Sequence, residues 1–526
     1  MTVIQHYDKS DRLKIILAIL SGLLLTGSFP KVGISWFAWF ALVPLLISLR
    51  NLPMQKSFFL GFLTGLVHYL TLLYWLPYTM KTYGHLPFFL CVTILILLSS
   101  FLAVYLAGFS ATLSKLCSKP GISLIMAPAI WVSFEYMRTL FFFGFPWELI
   151  GYSQYKNLHL IQIADIFGVY GVSFLIVLSN SAICLIFLSL IDKRRQKRAV
   201  TKRLAAVAIS VFTLTFILVW FYGKWSIQSI DRLIYTAPSI KAAIVQGNID
   251  QAIKWDPAFQ TKSVNKYIKL SLLTKKDNPD LLIWPETATS FYFLNNITLS
   301  NIVQKGIKNT GSDFLIGSPS FVHKKEVVEY YNSAYLIRRD GKVCGKYDKV
   351  HLVPFGEYVP FNKWLPFIGK FVEGVGDFKP GIRGKTITRS DYKLGLQICY
   401  EIIFPCLSRD MVRNDAALLI NITNDAWFGK TAAPYQHFSM AIFRAVENRR
   451  SLIRSANTGI SGFIDPSGRI LGETDLFVEA TMTRCVPVIR IKTFYTRFGD
   501  LFAIFCMVAT VICFVLKYDY IIKLRD

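Results

Sequence analysis

Charge is scarce in this chain. Only 17% of its 526 residues are Asp, Glu, Lys or Arg, against about 25% in ordinary globular proteins. That excludes a disordered chain, which stays unfolded through high charge and low hydropathy. It also excludes a solvated coiled coil, and the length excludes a small disulfide scaffold. Acidic residues are the scarcer sign: 33 Asp and Glu face 58 Lys and Arg, a net charge of +25. No internal repeat and no low-complexity tract stands out.

What the chain has instead is apolar surface. Hydrophobic residues make up 53% and aromatics 15%, and the mean hydropathy is +0.42. Spanning a bilayer takes about 20 apolar residues. Eight candidate spans meet or approach that length: Leu13 to Phe29, Gly33 to Leu49, Ser57 to Tyr78, Pro87 to Leu113, Ile122 to Phe143, Ile161 to Ile191, Leu204 to Tyr222, and Leu501 to Leu516. The expected organisation is a seven-helix transmembrane bundle over residues 1–222, a soluble domain over 223–498, and an anchor helix with a short tail over 499–526. Basic residues in the connecting segments support this. The N-terminus, three alternate loops and the C-terminal tail carry 17 Lys and Arg, and the opposite loops carry 3. This bias places both termini in the cytoplasm and residues 223–498 across the membrane, in a bacterial periplasm. The net positive charge therefore reads as membrane orientation and attraction to anionic head groups rather than nucleic-acid binding. The first span resembles a signal peptide but lacks a clear cleavage site, and is expected to be retained. Glu135 and Arg138, inside the fifth span, read either as a bundle-facing ion pair or as a lipid-head contact.

The soluble domain alternates short apolar runs with helical patterns, so an α/β or α+β layered fold is expected. KAAIVQGNI, DLLIWPE, DFLIGSP, NSAYLI, KLGLQICYE and ALLINITNDAW read as strands, and Ala258 to Leu273 and Gln436 to Arg449 as helices. Its four cysteines, Cys344, Cys399, Cys406 and Cys485, form no CxxC pair and no zinc-ligand spacing. An unpaired thiol kept in an oxidising compartment needs a reason, and catalysis is one.

Three predicted strands end in a reactive cluster. Leu281 to Trp284 runs into Pro285-Glu286-Thr287, Leu394 to Ile398 into Cys399-Tyr400-Glu401, and Leu418 to Ile420 into Asn421, Thr423, Asn424 and Asp425. Ligand sites of open α/β sheets lie outside the carboxyl ends of strands. A fourth segment, Lys346 to Glu357, adds Lys349 and a second carboxylate. These residue types suit covalent acyl transfer. A thiol is only a few per cent thiolate at neutral pH. A neighbouring carboxylate takes its proton and returns it to the leaving group, while an ammonium and the backbone N–H after the nucleophile stabilise the oxyanion. Glu286, Lys349, Cys399 and the N–H of Tyr400 would fill these roles. Taken singly, each has a plainer reading: a buried small residue for Cys399, a strand-end carboxylate for Glu286, a solvated lysine for Lys349, and structural roles for His351 and His437.

Together these residues resemble the nitrilase superfamily, whose members share a Glu-Lys-Cys triad in this chain order. The more detailed resemblance is to its membrane-embedded branch, the apolipoprotein N-acyltransferases. It is carried by VQGNIDQAIKWD, WPETA, YDKVHLVPFGEYVPF, LQICYEIIFP, NITNDAWFGKTAAPYQHF and RAVENRRSLIRSANTGISG. The resemblance implies an α-β-β-α sandwich and a ping-pong reaction. In it Cys399 takes an acyl chain from a phospholipid, typically the sn-1 chain of phosphatidylethanolamine. The resulting thioester passes the chain to the α-amino group of an S-diacylglyceryl cysteine at the N-terminus of an apolipoprotein. It further implies that Glu357 assists the triad, that Tyr400 and Glu401 shape the nucleophile's surroundings, and that Trp255, Trp427 and Asn424 contact substrate. No metal or soluble cofactor is implied, and a monomer is expected. The aromatic segment Phe361 to Phe367 reads as an amphipathic lid or as ordinary packing.

Two other readings compete. A membrane-tethered amidase or nitrilase keeps the triad but uses water as acceptor, and needs no eight-span anchor. A transporter or lipid-binding protein would leave the ordered Glu, Lys and Cys without a task.

Overall fold

The computed structural model describes residues 9–116, 120–142, 144–194, 201–324, 327–359 and 377–522. They form two compact units. The first comprises residues 1–77, 89–225 and 500–526, and the second residues 78–88 and 226–499.

The first unit is helical. Among the described residues, three helices are long and apolar enough to cross a membrane: Phe88–Leu116, Val169–Ile191 and Lys202–Thr236. A fourth candidate is the pair Met54–Leu72 and Leu76–Gly84, bent by 49° at its break. Among the described residues these match up to four of the eight expected spans. Gly33 to Leu49 is the clearest departure: it folds as a 3-10 turn, Ser35–Trp39, and a six-residue helix, Val43–Ser48, which at about 1.5 Å per residue cannot span a bilayer. The span predicted from Ile161 becomes continuous only at Val169, because Gly168 adopts φ +63° and ends the short helix before it. Apolar composition reports burial in lipid or protein; it does not report that one helix does the crossing. Glu135 and Arg138 both face the bundle interior with separate partners. Arg138 Nη1 donates to the Tyr69 hydroxyl at 2.6 Å, and Glu135 Oε1 accepts the Ile150 N–H at 2.8 Å.

The second unit contains two six-stranded sheets. The strands are β1 (Ser239–Gln246), β2 (Leu281–Ile283), β3 (Asp313–Lys324), β4 (Val327–Ile337), β5 (Val343–Asp348), β6 (Thr386–Arg389), β7 (Tyr392–Ile398), β8 (Ala416–Thr423), β9 (Leu452–Ala456), β10 (Gly462–Ile464), β11 (Ile470–Glu473) and β12 (Ala480–Pro487). The first sheet has the order β12-β1-β2-β3-β4-β5 and the second β11-β10-β9-β8-β7-β6. In each sheet three consecutive central strands run parallel, β1-β2-β3 and β7-β8-β9, with antiparallel strands outside them. Buried parallel strands read as near-continuous apolar runs, which is why β2, β7 and β8 were visible in the sequence. The six strands β5, β6, β9, β10, β11 and β12 were not predicted, nor were helices Ile297–Thr310 and Pro405–Arg413.

Helices Pro257–Leu273 and Ile297–Thr310 cover the first sheet, packing Val264, Tyr267, Val303 and Ile307 on Leu282, Trp284, Phe314 and Ile316. Trp284 is fully buried, stacks on Tyr267 at 5.0 Å between centroids, and donates its indole N–H to Ser271 at 2.9 Å. Burial of each such large side chain stabilises the unit by about 1.5–3 kcal/mol. The core thereby holds the end of β2, and with it Glu286, in a fixed place.

Candidate active site

Four strand ends deliver the predicted triad and its helper. β2 runs into Glu286, β5 into Lys349, and β7 into Cys399; β8 runs into Asn424. All lie within the second unit.

Glu286 is 6% exposed and its carboxylate is held at both ends. Oε1 accepts from Asn332 Nδ2 at 2.8 Å, and Oε2 accepts the backbone N–H of Asn424 at 2.9 Å. Lys349 Nζ lies 3.7 Å from Glu286 Oε1 and 2.9 Å from Glu357 Oε2, with its side chain 1% exposed. Asn332 Nδ2 also donates to Glu357 Oε1 at 2.9 Å, tying the two carboxylates together. Glu357 Oε2 accepts the Val353 N–H at 2.8 Å, which fixes the loop after Lys349. Burial alone would push the Lys349 ammonium down, but the charges of Glu357 and then Glu286 override it and hold its pKa above the ordinary lysine range. Lys349 therefore stays charged across the neutral range.

Cys399 opens a 3-10 turn, Cys399–Ile403, at the end of β7 and adopts φ +53°. A non-glycine residue in that region stores about 1–3 kcal/mol of strain and persists only where its surroundings impose it. The sharp bend turns the side chain off the strand end. The residue is part-exposed, yet the thiol is pushed well above its usual pKa, first by burial and then by the charge of Glu286, against Lys349. That shift favours the thiol over the thiolate. Glu286 is the carboxylate whose charge acts most strongly on it.

Glu401 is fully buried and braces the elbow. Its Oε2 accepts the Ile398 N–H at 2.7 Å, and its Oε1 accepts the N–H groups of Val350 at 2.6 Å and His351 at 3.0 Å. It thus links the strand end before Cys399 to the loop after Lys349. Burial pushes its pKa up to about 7, against the backbone donors and Lys349. Tyr400 packs its ring against Phe404 at 5.2 Å. Trp255 is 38% exposed and lines an open cleft of about 520 Å³ with Gln260, Ser290, Phe291 and Tyr292. Trp427 lies in the 3-10 turn Asp425–Phe428 just after Asn424, edge-on to Tyr83 at 5.0 Å, and its carbonyl accepts from Thr79. The Asn424 side chain is occupied by Gln251 and Asn457, so its contact within the triad is the backbone N–H to Glu286. Residues 361–367, read from sequence as a candidate lid, lie outside the described residues.

Sequence reasoning missed two members of this cluster. Lys254 is 2% exposed and donates to the Glu286 carbonyl at 3.1 Å and the Thr287 hydroxyl at 2.7 Å. Burial lowers its pKa to about 8, against the charges of Glu286 and Cys399. With Lys349 it balances the two carboxylates. Its only sequence signal was its position just before Trp255, and a lysine beside polar residues ordinarily reads as solvated. Asn332 gave no signal at all, lying inside a strand.

The turn carrying Glu286 leans on β3 at Gly317. A Cβ there would sit 2.5 Å from the Pro285 carbonyl oxygen, 2.6 Å from the Thr287 nitrogen and 2.7 Å from the Glu286 Cα. Only glycine permits this approach. Gly317→Ala is expected to push the turn away and lower the rate of Cys399 acylation by about 10²-fold, as a displacement near 1 Å does to a reacting group. Stopped time courses of intact mass check this; a wild-type rate would show that the turn does not set the position of Glu286.

Comparison with known proteins follows the same division of the chain. A family model described as the apolipoprotein N-acyltransferase N-terminal domain matches residues 21–182, and one described as carbon-nitrogen hydrolase matches residues 241–493. A protein of Geobacter metallireducens named apolipoprotein N-acyltransferase is 43% identical over 97% of this chain and 96% of its own. One of the same name from Methylococcus capsulatus is 32% identical over 95% of each. Among solved structures, an amidase from Nesterenkonia sp. is 19% identical, covering 50% of this chain and 95% of its own at a TM-score of 0.37.

Proposed function

The chain belongs to the apolipoprotein N-acyltransferase family, and from that membership we propose that it moves an acyl chain from a phospholipid to the N-terminal S-diacylglyceryl cysteine of a lipoprotein through a thioester on Cys399. The arrangement that carries the proposal is one buried ammonium, Lys349, set between Glu286 and Glu357 in the field that also acts on the Cys399 thiol.

The chemistry follows from that arrangement. In the first half-reaction Glu286 takes the thiol proton as sulfur attacks the ester carbonyl carbon. The carbonyl π pair moves to oxygen, where Lys349 and the Tyr400 N–H meet the negative charge. The oxyanion collapses, the bond to the glycerol oxygen breaks, and that oxygen leaves as the lysophospholipid hydroxyl with the proton from Glu286. In the second half-reaction the neutral α-amino nitrogen attacks the thioester carbonyl. It gives a proton to Glu286, and the sulfur leaves and is reprotonated. The product amide and free thiol close the cycle without a metal or soluble cofactor. Glu357 keeps Lys349 in place, Glu401 keeps the elbow, Trp255 and Trp427 lie toward the substrates, and Asn424 acts through its backbone N–H to Glu286. Phosphatidylethanolamine, through its sn-1 chain, is the proposed donor. The proposed frame is an α-β-β-α sandwich in the periplasm over residues 223–498. In this frame residues 1–222 form a bundle of about seven helices and residues 499–526 the final anchor, with both termini cytoplasmic and the enzyme a monomer.

The test supplies purified protein with phospholipid vesicles and a synthetic diacylglyceryl-cysteine peptide. The expected result is a peptide heavier by one acyl chain, in an amide that survives hydroxylamine, with lysophospholipid formed in equal amount. Free fatty acid with no acylated peptide, or turnover of short amides instead, would replace this reading with a hydrolase using water as acceptor.

A further inference from the structure

The residue that must stabilise the oxyanion through its backbone, Tyr400, shares a peptide unit with the carbonyl of Cys399. In a trans peptide the C=O and N–H point in opposite directions in one plane. Whatever anchors that carbonyl therefore aims the N–H. Two buried side chains anchor it. His437 Nε2 lies 3.2 Å from the Cys399 carbonyl oxygen, and Asn421 Nδ2 lies 3.4 Å from it.

The ring of His437 is set by its other nitrogen. Nδ1 lies 2.9 Å from Arg454 Nη2 and 3.1 Å from Asp425 Oδ1. A bare Nδ1 accepts from Arg454, and a protonated one donates to Asp425 in the charged ring. Either way Nε2 carries the hydrogen, because a bare Nε2 would set two lone pairs against each other at 3.2 Å. Burial lowers the ring's pKa and Arg454 adds to this, against the pull of Asp425. Arg454 ties the cluster together. It donates to Asp425 Oδ2 at 2.6 Å and also to Asn421 Oδ1, which turns the Asn421 amide N–H groups to the carbonyls of Gln397, at 3.1 Å, and Cys399. Thr423 donates to Asp425 Oδ1 at 2.7 Å. All five side chains are buried. None is in the Glu-Lys-Cys set, and His437 read from sequence as merely structural.

We propose that His437 and Asn421, locked by Arg454 and Asp425, are positioning residues that hold the Cys399 carbonyl and so aim the Tyr400 N–H at the oxyanion of the acyl-transfer intermediate. This rests on Cys399 being the nucleophile.

The role makes a prediction that a general packing role does not. Thioester formation passes through an oxyanion, whereas alkylation of the same thiol by iodoacetamide proceeds at a saturated carbon and forms none. In full-length protein, His437→Leu should slow acylation from phospholipid vesicles by about 10²-fold, near the lower end of what loss of an oxyanion donor does. Alkylation of Cys399 should stay within about twofold of wild type on the same reasoning. His437→Gln, which keeps an N–H donor, should recover most of the acylation rate. Asn421→Asp keeps the acceptor for Arg454 and removes the donor to Cys399, together with the one to the Gln397 carbonyl. It should show the same split to a smaller degree, and it carries the test if His437→Leu fails to fold. Parallel loss of acylation and alkylation, or unchanged acylation in both variants, overturns the proposal. Absence of an acyl adduct on wild-type protein overturns instead the assignment of Cys399 as nucleophile.

Discussion

Cys399→Ala, recovered from phospholipid-containing membranes, should have the mass of the bare polypeptide, while wild-type protein carries a fraction heavier by one fatty acyl chain. Hydroxylamine should remove that addition, because it cleaves a thioester rapidly and an amide hardly at all. The expected loss of transfer activity is the largest of any single substitution, about 10⁴-fold or more, since removing a covalent nucleophile returns the reaction to what binding and the oxyanion donors supply alone. The variant should fold. Alanine lacks only the sulfur and faces the same backbone constraint at φ +53°. The same acyl mass on the alanine variant would move the nucleophile elsewhere. Retained transfer without any adduct would mean direct attack of the amine on the phospholipid ester.

Lys349→Met is expected to be nearly as damaging, and for a different reason. The lysine side chain is 1% exposed and lies between two carboxylates that are themselves 8% and 13% exposed. Stripping one partner from a buried charged set leaves uncompensated charge and destabilises by about 3–5 kcal/mol. Glu286 and Glu357 are also joined through Asn332, so one of them should take up a proton. The sign follows from linkage. A carboxylate whose folded pKa rises above its unfolded value favours the fold while it is protonated, and that support is lost as pH rises through the raised value. The variant should therefore be more stable in mild acid than at pH 8, and its residual acylation should shift to higher pH, where Glu286 again becomes a base. Wild-type Lys349 has its pKa raised, so its contribution is complete below the ordinary lysine range and gives no such slope near neutrality. Acylation should fall by about 10³-fold at neutral pH. The double variant Lys349→Met/Glu357→Gln removes one cation and one anion together. It should regain most of the stability and none of the activity. Recovery of activity in the double variant would reduce Lys349 to a charge-balancing role.

The legible part of this protein is the part written in apolar runs. β2 and the start of β8 read as apolar runs and β7 as an alternation of Leu394, Leu396 and Ile398, and Glu286, Cys399 and Asn424 follow at their ends. Lys349 was visible because it sits in the charged segment Lys346 to Glu357, in the expected chain order. The chain-order match of Glu286, Lys349 and Cys399, together with several long motifs, pointed to the family before any fold was seen. Transmembrane character was visible in the same way, but the count of spans was not. Gly33 to Leu49 is apolar enough and still breaks into a 3-10 turn and a short helix.

Other features exist only in three dimensions. Lys254 and Asn332 come from segments remote in sequence and matter through a carbonyl at 3.1 Å and a carboxylate at 2.8 Å, contacts that no local pattern encodes. Arg454 sits in the middle of β9 with no exposure, which a reading of sequence alone disfavours because a lone buried guanidinium is too costly; tertiary structure supplies Asp425 and Asn421 to receive it. The sequence by itself thus determined the reagents, since covalent identity decides which groups take protons, carry charge or attack carbon. Tertiary structure alone decided their fields and directions, because desolvation, shared hydrogen bonds and the aim of a single peptide plane arise only when distant segments close around one another.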